Sequence, residues 1–301
     1  MSVPSQGVNT AAPAQPGPTP AQHASSRAVP APTHSLVSPK APKATFETLL
    51  EIVRKRYLAS FVSVAGGLAL WELISRYLVA NSLFLAAPSQ IAVAIYNLAR
   101  TGQLWHHIGV SGMEFALGYV VACVIGIALG LAMAASVTMK QALQPWVSGL
   151  YATPTIALAP LFILWFGIGI WSKVLVVISL VLFPVTINTE AGLRTTSERL
   201  IEMLRSFGAT RRQIFLKVSL PSAVPFILAG LKLGIGRGLI GVVVAELFGS
   251  RAGLGNLISQ SADAFNMPDL FAGVVILAFA GIVMTAGFGW VEQRLVPWTR
   301  D

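Results

Sequence analysis

Residues 109–135 read GVSGMEFALGYVVACVIGIALGLAMAA, and Glu114 is the only charged side chain in the stretch. A helix rises ~1.5 Å per residue, so ~20 residues cross the ~30 Å hydrocarbon core of a bilayer. This run is longer than that. Its apolar side chains fall on every face rather than on alternate positions, which excludes a strand of a membrane barrel. Small residues recur at every fourth position: Gly118, Ala122, Gly126, Gly130 and Ala134. In lipid, apolar burial does not drive helices together, and such a ridge lets two backbones approach closely. The reading is a membrane-spanning helix with one face shaped for another helix.

Five more apolar runs lie on either side, at about 58–78, 146–166, 173–191, 224–248 and 270–291. The predicted fold is all-α, a polytopic bundle of six transmembrane helices. Composition agrees, with 54% hydrophobic and 11% charged residues and a mean hydropathy of +0.70 over 301 residues. A soluble domain carries roughly 25% charged residues. The excess of 21 Lys and Arg over 12 Asp and Glu collects between the spans, a topology signal rather than a nucleic-acid surface. With the N-terminus inside, twelve Lys and Arg face the cytoplasm, and the opposite side holds only Arg76, Arg100, Lys173 and Arg251. Both termini are then cytoplasmic, as an even number of crossings requires.

Residues 1–44 are rich in Pro, Ala, Ser, Gln and Thr and hold no apolar stretch long enough for a signal peptide. They read as a disordered cytoplasmic arm, leaving 45–301 as the transmembrane domain. Cys123 is the single cysteine, and the four histidines offer no metal site. Ser89 is placed to cap a short helix whose apolar face is Ile91, Ile95 and Leu98, lying along the outer surface.

Gly230, Gly234 and Gly238 repeat the small-residue device in the fifth span, while Pro154, Pro160 and Pro184 are expected to bend the third and fourth. Ionisable residues inside a membrane face a bundle interior or a wet cavity. Lys232, Arg237, Glu246 and Glu114 are therefore candidate pathway residues. Arg237, near mid-span, suits an anionic group, or else ties helices together through backbone carbonyls. Lys232 is close enough to the cytoplasm to snorkel. Glu72 and Arg76, four apart near the outer surface, read as a structural pair.

The loop over about 192–221 is the longest between spans. Thr196 is expected to cap a helix from Ser197 to Phe207, stopped by Gly208 in the left-handed conformation. Thr210 and Gln213 form a capping box for a second helix ending before Leu220-Pro221. The first helix carries Leu200, Ile201, Met203, Leu204 and Phe207 on one broad side, among basic residues. From physics alone, that side either folds back on the bundle, lies on anionic lipid, or meets a protein partner.

The spacing in this loop resembles the EAA loop of ABC importer permeases. Glu202-Met203-Leu204, three residues, Gly208, nine residues and Val218-Ser219-Leu220-Pro221 follow that pattern, with Met203 and Leu204 replacing its two alanines. Pro160-Leu161, the run 165–169, Val243 to Glu246 and Gly253-Leu254-Gly255 are similar to the nitrate, sulfonate, taurine and bicarbonate branch of the binding-protein-dependent transport inner-membrane family. The likeness covers about residues 55–298.

The resemblance implies a permease subunit in a bacterial inner membrane, two copies pairing with two ATPase subunits and a periplasmic binding protein. It implies an ATPase-coupling loop at Glu202, Met203, Leu204, Phe207, Gly208, Leu220 and Pro221. ATP and Mg would sit on the partner, because no phosphate-binding glycine loop occurs here. The chain is expected to bind no cofactor and to be no enzyme. Glu114 departs from the branch, which often has Arg there; were it to face the pathway, an anionic substrate would be disfavoured.

Rival readings are weaker. Gly109-Val110-Ser111-Gly112 matches the nucleophile motif of intramembrane serine proteases, but no histidine follows His107 to act as base. A self-sufficient secondary transporter or channel would show charge relays or an inverted repeat, and would leave the 192–221 loop without purpose. An exporter subunit fits the loop less well than an importer subunit.

Overall fold

The computed structural model describes residues 46–78 and 84–296. The arm expected over residues 1–44 lies outside them. The chain divides into two units, Met1–Arg56 and Tyr57–Asp301, and the bundle is the second. The described elements in order are α1 (Phe46–Leu73), α2 (Pro88–Arg100), α3 (Gln103–Ala135), α4 (Val137–Ala152) and α5 (Ala159–Phe166). They continue with α6 (Ile170–Arg194), α7 (Glu198–Ser206), α8 (Arg211–Ile214), α9 (Leu220–Gly249), α10 (Leu254–Asp263) and α11 (Met267–Leu295). Among the described residues five helical stretches are long and apolar enough to cross a membrane: Leu58–Leu78, Gln103–Ala135, Ile170–Arg194, Arg211–Gly249 and Met267–Leu295.

The expected crossing at 146–166 is bent, as Pro154 leads one to expect. It is a pair of helices, Val137–Ala152 and Thr155–Phe166, bent by 85° at their junction, and it makes a sixth span only if both arms are counted together. The break falls at Thr153-Pro154, where proline takes away a helix hydrogen bond and disfavours helical backbone in the residue before it. Pro160 lies in the first turn of α5, where its missing N–H costs nothing, and Pro184 lies inside the continuous α6.

α6 is the axis. α3 lies against one side of it and α9 against the other, each with its glycine ridge turned inward. A Cβ added at Gly118 would sit 2.6 Å from Val177, and one at Gly130 2.6 Å from Thr189. On α9, a Cβ at Gly230 would sit 2.8 Å from Asn188, and one at Gly234 3.0 Å from Val181. Val177, Val181 and Val185 of α6 are thus enclosed from both sides.

α2 packs Ile91, Ala94 and Leu98 onto Leu254 and Leu257 of α10 and Ala272 of α11. It has 13 residues, too few to cross. Its N-cap is Ala87, not Ser89. The Gln90 side chain accepts from the Ala87 N–H, and the Ser89 hydroxyl donates to Glu72 instead.

Candidate functional site

Three groups of polar or exposed residues have functional interest, one at each end of the bundle and one at mid-depth. At the α7 end, Gly192 and the turn after α6 deliver the chain into α7, and its N-cap is Ser197. The Thr196 hydroxyl makes no cap and is buried without a partner.

α7 stops as expected. Gly208 has φ 81°, its N–H donates to Arg205 O at 2.9 Å, and Ala209 N–H donates to Leu204 O at 3.0 Å. This pair of bonds is a Schellman turn, which needs a residue in the left-handed region. Nothing lies within 4 Å of a Cβ built on Gly208, so conformation alone selects glycine.

The broad apolar side of α7 is two sides. Ile201 and Leu204 turn inward and are half-buried, while Leu200, Met203 and Phe207 form an outer stripe at i, i+3, i+7. Phe207 is 81% exposed and Met203 49%. Glu202 and Gly208 are exposed beside that stripe, and Leu220 and Pro221 are half-buried at the start of α9.

The capping box of Thr210 and Gln213 is present. The helix it starts does not end before Leu220. It passes through a π-helical stretch, Phe215–Ser219, directly into α9. α8 is therefore continuous with a membrane-crossing helix, with no loop between them.

At mid-depth, Arg237 of α9 donates from Nη2 to the Tyr151 hydroxyl of α4 at 2.9 Å, and its guanidinium carbon stands 4.9 Å from the Tyr151 ring centre. It makes a side-chain contact, not the backbone-carbonyl link considered above. Lys232 pairs with Glu292 of α11 at 3.4 Å.

At the α10 end, Glu114 and Glu246 are sealed inside the bundle, 2% and 1% exposed, and face no open space. Lys173 Nζ donates to Glu114 Oε1 at 2.9 Å. Glu246 Oε2 accepts from Gly255 N–H at 2.6 Å, and its Oε1 accepts from the Ser111 hydroxyl. Ser111 Oγ in turn accepts from Leu254 N–H at 2.8 Å, and His107 Nδ1 accepts from Gly253 N–H at 3.0 Å.

Three successive N–H groups entering α10, free in any helix start, are thereby met by side chains of α3 and α9. A Cβ at Gly253 would run into the Glu246 carboxylate, and one at Gly255 would sit 2.6 Å from the Val243 carbonyl oxygen and 2.9 Å from the Glu246 Cβ. Ser111 is occupied as a link in this network, not poised as a nucleophile.

Sequence reasoning missed α10 and the joining of His107, Ser111, Glu114, Lys173 and Glu246. The available signal was the presence of three ionisable residues at like depth, each needing a partner.

Residues 123–301 match the family described as binding-protein-dependent transport system inner membrane component. The chain is 34% identical over 233 residues to the formylaminopyrimidine transport permease protein ThiX of Halalkalibacterium halodurans, covering 77% of this chain and 92% of that one. It is 33% identical to the putative aliphatic sulfonates transport permease protein SsuC of Bacillus subtilis, over 81% of this chain and 90% of that one. It is 32% identical to the taurine transport system permease protein TauC of Escherichia coli, over 79% and 89%. In fold it resembles a chain of the inward-facing MetNI methionine ABC transporter, with a TM-score of 0.53 at 20% identity, covering 66% of this chain and 96% of that one.

Proposed function

The chain belongs to the binding-protein-dependent transport system inner membrane component family, the permease subunits of ABC transport systems, and on that premise we propose how it works within one. Permeases of this family act with an ATPase and a substrate-binding protein, and ATP hydrolysis resides on the separate subunit. α7 is the helix that docks on the ATPase, with Met203 and Phe207 entering a groove there and Glu202 and Gly208 beside them. MgATP is held by that partner. Closure of the ATPase presses on α7, and the unbroken path through α8 and the π-helical stretch into α9 carries the movement into the membrane. The observation that carries this reading is the outer stripe of Leu200, Met203 and Phe207, apolar and uncovered among exposed charges.

The chain lies in a bacterial inner membrane with both termini in the cytoplasm, as the Lys and Arg distribution directs. Two copies face each other across the pathway. Arg237, with exposed Leu233 and Ile240 on the same helix, supports this. A guanidinium at mid-span is costly against lipid, about 2.5–3.5 kcal/mol on insertion scales, and is at home beside a wet pathway.

The substrate is a small anion of the sulfonate type, drawn by Arg237 and the Tyr151 hydroxyl. Glu114 does not oppose this, because it is sealed against Lys173 and does not line the pathway.

The test is uptake of radiolabelled taurine and short alkanesulfonates into proteoliposomes holding the permease, its ATPase and its binding protein. ATP-dependent uptake that falls at least tenfold in Arg237→Gln is expected. ATP-independent uptake would contradict the reading, and uptake indifferent to Arg237 would remove the assignment of that residue.

A further inference from the structure

The network at the α10 end has an unequal charge count. α3 contributes Glu114 and His107, α6 contributes Lys173, α9 contributes Glu246, and α10 contributes only backbone N–H groups. Arg251, in the turn between α9 and α10, is exposed. Two carboxyl groups thus face one ammonium in a region closed to water.

The hydrogen bonds are unequal too. Glu246 has a donor on each oxygen. Glu114 has Lys173 on Oε1, and its Oε2 is buried with no partner. Ser111 and Glu114 lie one turn apart on the buried face of α3, so the Glu246 carboxyl bonded to Ser111 stands beside the Glu114 carboxyl. A buried carboxylate oxygen without a donor is costly, and two bare carboxylates at this range repel strongly.

We propose that Glu114 and Glu246 share one proton, so that this buried pair is a proton-binding site which closes the α3–α9 contact and holds α10 in place. Glu114 carries the proton on the oxygen that otherwise has no partner and donates it to Glu246. Glu114 Oε1 still accepts from Lys173. The cluster is then neutral overall, one ammonium against one negative charge, and every buried oxygen is met. Removing the proton places two negative charges beside one positive and weakens the anchorage of Gly253, Leu254 and Gly255.

The pair is tested by infrared spectroscopy of the full-length chain in lipid nanodiscs, comparing water with deuterium oxide at neutral pH. A carbonyl stretch of a protonated carboxyl, shifting on deuteration, is expected in the wild type and absent in Glu114→Gln. The amide of that variant can accept from Lys173 and donate to Glu246, so its fold should be kept. Glu246→Gln should lose the same band; should it fail to fold for want of an acceptor at Gly255, the first variant decides alone.

A second readout follows from proton linkage. A native state that binds one more proton than the unfolded chain loses stability as pH rises. The melting temperature of the wild type should fall as pH rises above the ordinary carboxyl range, and that of Glu114→Gln should not change with this slope. A wild type without the carboxyl band, or a band undiminished in Glu114→Gln, would overturn the proposal.

Discussion

The two ends of this bundle treat their exceptional residues in opposite ways. At the α10 end, charged and polar groups that are costly in a membrane are gathered, buried and bonded to one another, and three backbone N–H groups are tied into the same network. At the α7 end, apolar side chains that water disfavours are left uncovered, with Phe207 and Met203 outermost. The first arrangement is complete within the chain. The second is complete only against another surface. The difference separates residues that maintain the fold from residues proposed to connect it to a partner, although both groups stand out equally in the sequence.

Substitutions at the two ends should therefore give different readouts. The largest effect on stability is expected from Lys173→Met, which leaves the two carboxyl groups without their cation. Breaking a buried pair by removing one partner costs about 3–5 kcal/mol, and thermal unfolding in detergent would show it. Next comes Gly130→Leu on the central packing. A Cβ there already meets Thr189 at 2.6 Å, and the wedge should cost at least about 1–3 kcal/mol in the same assay.

Gly208→Val, at the other end, forces a branched residue into the left-handed region at about 1–2 kcal/mol. That cost falls on the turn after α7, so the bundle should melt almost as the wild type does while ATP-driven uptake is lost. The smallest change in stability, within about 0.5 kcal/mol, is expected for Phe207→Asp, an exposed position, together with a full loss of coupling. Large destabilisation by Phe207→Asp would show that the stripe packs on its own bundle, and the contrast between the two ends would collapse.

Much of this arrangement is legible in the chain because it is local. Five of the six apolar runs match candidate spans, four with ends shifted by at most six residues and the fifth, Arg211–Gly249, starting thirteen residues earlier than expected. The four-residue spacing of Gly118, Ala122, Gly126 and Gly130 identifies the α3 face that meets α6. Gly208 and the pair Thr210 and Gln213 mark helix ends through rules that operate within four residues.

What escaped is long-range or angular. Lys173 and Glu114 are 59 positions apart, Ser111 and Glu246 135, and Gly253 and His107 146. No periodicity relates them, and burial of charge supplies a need for partners without naming them. The 85° break at Thr153-Pro154 was legible as a proline but not as an angle. α10 was overlooked because ten residues with few large hydrophobes read as a turn between two spans. The apolar side of α7 reads as one broad stripe in the sequence, since a helical wheel cannot tell which half of a wide stripe faces the bundle.

The most direct measurement is purification of the tagged chain from its native membrane, with mass spectrometry of the proteins retained, for the wild type and for Met203→Asp combined with Phe207→Asp. An ATPase subunit should accompany the wild type and be absent from the variant, at unchanged melting temperature. A variant that retains the ATPase in full, or a wild type that purifies alone and moves solute without ATP, would contradict the assignment of α7 as the docking helix.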